Sequence, residues 1–283
     1  MTEPSALDTL PPLREVIAQH ELRADKKLGQ NFLLDSNITD KIARAAGNLA
    51  RATVFEIGPG PGGLTRSLLR AGADKLIALE YDPRAIGALQ GLRDAAQGRL
   101  EIVQADALES NLYDLAPTGA RVIVANLPYN IATPLLIGWL AQIRADRAAY
   151  RSMTLMFQRE VADRIVAAPG SKTFGRLAVM VQWLCTVKKQ FDLPPSVFIP
   201  APKVTSSVVN FVPRDLGPDA PSFAVVEAIT AAAFGQRRKM LRSSLRGYAT
   251  AMEKAGIDDS LRAEQLQVED FINIARFAPP VSG

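Results

Sequence analysis

Val54-Phe55-Glu56-Ile57-Gly58-Pro59-Gly60-Pro61-Gly62-Gly63 decides the fold of this 283-residue chain. An apolar run that ends in a glycine cluster reads as a buried strand delivered into a tight loop, and a helical pattern over Leu64 to Arg70 follows at once. Outward from this point the alternation repeats. Lys75 to Leu79 is a second strand, closed by Glu80, and helical periodicity covers Pro83 to about Ala95. Leu100 to Gln104 is a third strand, ending near Asp106; Arg121 to Ala125 is a fourth. Residues 133 to 143 read as helix, Met153 to Phe157 as a fifth strand, and Arg159 to Ala167 as helix again. Strand–helix alternation of this kind predicts an α/β, Rossmann-like, doubly wound parallel sheet. Such sheets bind ligands at the carboxyl ends of their strands. Gly58, Glu80, Asp106 and Asn126 all fall at predicted strand ends, so one crevice can hold all four.

After about residue 175 the pattern changes. Arg176 to Cys185 is apolar and helical, Phe191 to Lys203 is rich in proline, and Thr205 to Val212 is a Val-rich strand. Pro213 to Pro221 reads as a linker, and from Ser222 onward only short helices are expected. The predicted organisation is a lead-in over residues 1–22, a Rossmann-like domain over 23–213, and a small all-helical domain over 214–283.

Gly58, Gly60 and Gly63 satisfy the G-x-G-x-x-G spacing, and Glu80 follows at the distance expected of a ribose-binding carboxylate. Two ligand classes suit that arrangement, a nicotinamide dinucleotide and S-adenosylmethionine, because each presents a ribose after the second strand. Three features favour the second. Glu56 precedes the glycines as Glu-Ile-Gly-Pro-Gly, a methyltransferase-like form; Asp106, after the third strand, would hydrogen-bond an adenine amino group; and Asn126-Leu-Pro-Tyr129 has no role in hydride transfer. The only histidine, His20, lies far upstream, so the usual histidine acid–base catalyst is absent from the crevice region. No Gly-Lys-Ser/Thr follows the glycines, so a P-loop is excluded. Glu80 and Asp106, taken singly, are equally ordinary helix caps; it is their registration after successive strands that gives them weight.

Asn126-Leu127-Pro128-Tyr129, at the end of the fourth strand, suits one chemical problem. An amino group on a flat aromatic ring is a poor nucleophile, because its lone pair is delocalised. A site accepting hydrogen bonds from both N–H groups favours a pyramidal nitrogen and frees that pair. The Asn126 side-chain oxygen and the Leu127 carbonyl are candidates for the two acceptors. Pro128 fixes the turn and removes a competing donor, and Tyr129 offers a stacking face.

Composition narrows the remaining classes. Hydrophobic residues make up 48% of the chain, which predicts a packed core. One cysteine, Cys185, and one histidine leave no material for an intrachain disulfide, a zinc site or a Cys–His dyad. Neither a signal core nor an apolar run long enough to span a membrane is expected, so a cytoplasmic protein is predicted. Net charge is only +4, which makes the position of the charge matter more than its sum. Arg237, Arg238, Lys239, Arg242 and Arg246 crowd ten positions; at helical spacing, Arg238, Arg242 and Arg246 would form one stripe. Arg23, Lys26 and Lys27 make a second basic group. Both suit contact with an RNA backbone.

Six segments in order carry a family resemblance: Lys27-Leu-Gly-Gln-Asn-Phe-Leu33, Glu56-Ile-Gly-Pro-Gly60, Asn126-Leu-Pro-Tyr-Asn-Ile131, Phe157-Gln-Arg-Glu160, Val197-Phe-Ile-Pro-Ala-Pro-Lys-Val204 and Phe234-Gly-Gln-Arg-Arg-Lys239. The chain resembles the KsgA-type ribosomal RNA adenine dimethyltransferases, relatives of the Erm rRNA methyltransferases. The resemblance implies that Gln30, Asn31 and Leu33 close over S-adenosylmethionine from the N-terminal side. It implies that Gly58 and Gly60 cradle the methionine part, Glu80 the ribose and Asp106 the adenine. Asn126 and the Leu127 carbonyl would hold the target amino group, with Tyr129 and Phe198 sandwiching the base. Phe198, between Pro195 and Pro200, sits in a rigid loop suited to that task. The implied partner is 16S rRNA in a small-subunit particle, modified by a monomer at two adjacent adenines near the 3′ end. The nearest alternatives are an Erm-like activity on 23S rRNA and a non-catalytic assembly factor.

Overall fold

The computed structural model describes residues 5–24 and 29–280. Lys26 and Lys27, expected to touch RNA, lie outside the described residues. The strands are β1 (Phe32–Leu33), β2 (Ala52–Ile57), β3 (Lys75–Glu80), β4 (Leu100–Gln104), β5 (Ala120–Ala125), β6 (Ser152–Gln158), β7 (Cys185–Leu193), β8 (Phe198–Ile199) and β9 (Ser206–Pro213). Seven of them form one sheet in the order β4-β3-β2-β5-β6-β9-β7, and β1 pairs with β8 separately. Pairing is parallel from β4 to β6 and becomes antiparallel where β9 meets β6.

Why these residues make this sheet is visible in their burial. Val54, Phe55, Leu76, Ile77, Val122 and Ile123 are all inaccessible to solvent. Strands covered on both faces need continuous apolar runs rather than alternation, and these strands supply them. Each such side chain contributes roughly 1.5–3 kcal/mol through burial. A buried cation sits alongside: Arg121, at the start of β5. Its guanidinium donates to the carbonyls of Ala116, Pro117 and Ala149 and lies 4.0 Å from the centre of the Tyr113 ring. A buried cation is tolerable only when its donors are met in this way.

Strand order reverses direction at β2, whose neighbours are β3 on one side and β5 on the other. Crevices open at such switch points. Helices are set by local signals. Asp82 caps the helix Pro83–Ala95 by accepting the Arg84 N–H at 3.0 Å, with Pro83 in the first turn. Asp35 caps Ser36–Ala45 in the same manner.

The chain folds as two compact units. The first comprises Met1–Gly138, Ala148–Arg159 and Lys189–Phe211; the second comprises Trp139–Arg147, Glu160–Lys188 and Val212–Gly283. The second unit therefore reaches well before residue 214, where a simple C-terminal domain was expected to begin. Its helices Arg176–Leu184, Phe223–Gly235 and Val268–Phe277 explain the difference, because they share aromatic packing. Phe174 meets Phe234 edge-on, Phe234 stacks on Phe271, and Trp183 stacks on Phe223.

The predicted stripe of Arg238, Arg242 and Arg246 is corrected. The helix ends at Gly235, and Arg238 sits in a turn; Arg242 belongs to the four-residue helix Leu241–Ser244, and Arg246 begins a 3-10 turn. Backbone bonds from Leu241 N–H to the Leu261 carbonyl and from Arg242 N–H to the Asp259 carbonyl draw the chain off a helical path. All three side chains remain exposed, as do Arg237 and Lys239.

Candidate active site

A cavity of about 360 Å³ opens at the carboxyl ends of β2, β3, β4 and β5. Of the residues expected here, Gln30, Asn31, Leu33, Gly58, Gly60, Glu80, Asp106, Asn126, Leu127, Pro128 and Tyr129 all line it. They come from well-separated parts of the sequence, and the sheet topology alone brings them together.

The glycine loop is shaped as much by packing as by ligand access. Gly58 holds φ +66, the conformation that favours glycine, and a Cβ there would lie 3.9 Å from Pro128 Cδ, an ordinary contact. Gly63 is needed for a different reason: a Cβ there would lie 2.4 Å from the Leu33 carbonyl oxygen. At Gly60 the neighbour is the Phe32 ring, 3.0 Å from where a Cβ would stand. The segment around β1 thus sits directly on the loop.

Three carboxylates mark the successive strand ends. Glu80 accepts the Gly60 N–H at 3.1 Å through one oxygen and the Asp82 N–H at 2.8 Å through the other. Burial raises its pKa, against the pull of these backbone donors. Asp106 caps its own turn by accepting the Leu108 N–H at 2.8 Å. Glu56 is the most enclosed of the three. It is 1% exposed and lines the cavity, and its Oε2 has no hydrogen-bond partner. Burial pushes its carboxyl up to about 8, with the Thr65 hydroxyl pulling the other way and Glu80 adding to the rise.

Two contacts fix the segment that closes the cavity. Gln30 donates from Nε2 to Asp82 Oδ2 at 3.3 Å. Asp82 is held below the usual carboxylate range chiefly by Arg84, whose guanidinium meets both of its oxygens at 3.0 and 2.7 Å. The second contact orients the side chain of most interest. Asn126 donates from Nδ2 to the main-chain carbonyl of Asn31 at 3.0 Å. A carbonyl can only accept, so the amide nitrogen must face it. Asn126 Oδ1 is thereby left as the acceptor end of the amide.

Pro128 caps the turn with its carbonyl, which accepts the N–H groups of Ile131 and Ala132, both at 3.1 Å. Tyr129 follows as the first residue of the helix Tyr129–Ala145. Its ring is half-buried, and its hydroxyl lies 2.6 Å from the Ser206 hydroxyl.

Phe198 is corrected. It does not line the cavity; it is 3% exposed and packed into the hydrophobic core with Leu33, Met156 and Val208. The pairing of β8 with β1 places Phe198 opposite Leu33 and turns the neighbouring Ile199 outward instead. Two exposed apolar side chains that sequence reasoning missed do line the cavity, Tyr81 and Leu108, at 60% and 49% exposure. Each lies one or two positions beyond a carboxylate already singled out, which was the available signal. Arg23 is exposed. Among the described residues no cluster of His, Cys, Asp and Glu is placed to hold a metal.

Glycine loop, carboxylates after successive parallel strands and a cavity at the switch point define an S-adenosylmethionine-dependent methyltransferase. The residues fit that methyl donor, since the buried and unpartnered oxygen of Glu56 marks a polar position that a bound molecule can satisfy. The chain belongs to the ribosomal RNA adenine dimethylase family, whose model matches residues 21–279. It is 53% identical to ribosomal RNA small subunit methyltransferase A of Xanthobacter autotrophicus, over 99% of this chain and 98% of that protein. Its identity to the protein of the same name from Rhodopseudomonas palustris is 56%, over 96% of each. A dimethyladenosine transferase from Plasmodium falciparum has a crystal structure that superposes with a TM-score of 0.70. It is 26% identical, over 86% of this chain and 95% of that one.

Proposed function

We propose that this enzyme dimethylates the N6 amino groups of two adjacent adenines near the 3′ end of 16S rRNA, in a small-subunit particle. The single observation that carries the reading is the Asn126 amide, fixed by the Asn31 carbonyl so that its oxygen is an acceptor at the cavity wall. The names of the relatives supply the substrate.

S-adenosylmethionine supplies an electrophilic methyl group on a sulfonium. The chain's own residues do the rest. Glu80 and Asp106 hold the ribose and adenine ends, and Gly58 and Gly60 admit the methionine part. Gln30, Asn31 and Leu33 close the cavity. In the first transfer Asn126 Oδ1 and the Leu127 carbonyl accept from the two N–H groups of the target amino group, which localises its lone pair on nitrogen; in the second, one of the two acceptors holds the single N–H that remains. Tyr129 stacks on the extruded base, offsetting roughly 1–3 kcal/mol of the cost of unstacking. Presenting the oriented nitrogen to the bound methyl donor would supply up to about 7–11 kcal/mol of the acceleration. No dedicated general base is required, because the nitrogen becomes acidic as it is alkylated and its proton passes to water. Arg23, Arg237, Arg238, Lys239, Arg242 and Arg246 are exposed cations suited to phosphate contact. The same reading makes the enzyme a cytoplasmic monomer. Among the described residues no helix is long and apolar enough to cross a membrane.

The test is transfer of labelled methyl groups to unmodified ribosomal subunits, with the labelled adenines mapped. Dimethyladenine in the small subunit is the expected product. Label confined to the large subunit would move the enzyme to the Erm-like activity, and no label in either would leave a binding role.

A further inference from the structure

Tyr129 and Ser206 are 77 residues apart, yet their hydroxyl oxygens approach to 2.6 Å. Ser206 is completely buried, at the first residue of β9, where it pairs with Gln158 at the end of β6. Tyr129 stands just past the end of β5, on the far side of β6. The bond therefore crosses the carboxyl end of β6 and ties the catalytic turn to a strand that contributes nothing to the cavity wall. The neighbouring Ser207 is itself held, donating to Asp192 Oδ1 at 2.6 Å, so the anchor point is stiff.

A tyrosine has two side-chain torsions, and a half-buried ring at a cavity mouth is free to swing unless its far end is caught. Burial raises the Tyr129 pKa, so the phenol stays protonated and the O–H···O bond persists through neutral pH. We infer that Ser206 is a positioning residue for methyl transfer, which acts by pinning the Tyr129 hydroxyl so that the ring is already in its stacking orientation when the base arrives. The inference rests on the proposed role of Tyr129 as the platform. Pre-organisation of this kind removes an ordering cost otherwise charged to each binding event. It also explains why a tyrosine, rather than a phenylalanine, suits a position whose only task is to present a flat face.

The experiment compares Ser206→Ala, Tyr129→Phe, the double variant and Tyr129→Ala in methyl transfer to unmodified small subunits, alongside cofactor binding and thermal melting. The expected result is a three- to tenfold fall in kcat/KM for RNA in each conservative single variant, with cofactor affinity unchanged. The double variant should be no worse than either single one, because both remove the same bond. Tyr129→Ala should lose a hundredfold or more. Full activity in both conservative variants, with Tyr129→Ala still defective, overturns the pin and leaves the platform standing. Additive losses in the double variant also overturn it, since the two hydroxyls would then act separately. Full activity in Tyr129→Ala would remove the platform itself. If Ser206→Ala melts early, Tyr129→Phe still decides the question, because it removes the bond from the half-buried side.

Discussion

The glycine loop after β2 and the Asn-Leu-Pro-Tyr turn after β5 leave adjacent strands at the same end of one sheet, but they are built on opposite plans. In the loop, side chains are absent where neighbours come close: Gly63 lies under the Leu33 carbonyl and Gly60 against the Phe32 ring. In the turn, two side chains are aimed by distant partners. Asn126 is set by a carbonyl 95 residues away, and Tyr129 by a hydroxyl 77 residues away. The contrast separates shape from chemistry. The loop makes room by leaving side chains out where the Phe32–Leu33 segment comes close; the turn, on the proposed function, presents the reacting groups, and distant partners aim them.

The largest effect that bears on this contrast belongs to Glu56, which precedes the loop. Its folded pKa of about 8 lies above the unfolded value of 4.5, so the folded protein binds the extra proton between those limits. Stability from this group is complete below about pH 4.5 and is lost as pH rises through about 8. Relative to Glu56→Gln, the wild-type protein should lose on the order of 4 kcal/mol across that window. Chemical denaturation of both proteins at several pH values measures it, and parallel curves would show that Glu56 is ionised at neutral pH after all.

Next comes Asn126→Ala. Methyl transfer should fall by about 10²–10³, the scale seen when one oriented hydrogen-bonding group is removed from a reacting centre. Binding of S-adenosylmethionine, measured calorimetrically, should persist. Near-normal turnover would dissolve the distinction between the two elements.

Gly63→Ala addresses the loop's shape. A methyl group 2.4 Å from a backbone oxygen forces the chain to move, so a loss of about 1–3 kcal/mol in stability is expected. An unchanged melting temperature would mean that the contact relaxes without cost. The smallest effect concerns neither element. Charge reversal at Arg238 and Arg242 should weaken RNA binding roughly tenfold at physiological salt and flatten its salt dependence, with cofactor affinity unmoved. Equal affinity for both proteins in a salt titration would place the RNA contacts elsewhere.

Sequence exposes what depends on runs of residues and hides what depends on meetings between them. The five parallel strands were legible because burial on both faces demands continuous apolar stretches, and Gly58, Glu80, Asp106 and Asn126 are punctuation at their ends. β7 was not legible. It lies at the sheet edge, and Lys188, Lys189 and Asp192 break its apolar pattern, as edge strands often do. The two-residue pair β1 and β8 has no periodicity to read, and that pair is what carries Phe198 into the core. The basic stripe failed for a related reason: spacing alone does not say that a helix stops at Gly235. The burial of Glu56 was not legible either, because spacing does not say what packs around a carboxylate.

The group that sets the Asn126 amide is a main-chain carbonyl, and a point mutation cannot delete it. Any residue at position 31 that preserves the path of β1 inherits the same oxygen in the same place, so the orientation is insulated from substitution there. A change of length is another matter. One residue added or removed between Gly29 and Leu33 shifts the extended chain by about 3.3 Å and turns the carbonyl to the opposite side. The Asn126 orientation thus tolerates variation at position 31, apart from what the Asn31 side chain adds to closing the cavity, whereas the count of residues leading into β1 is not free to vary.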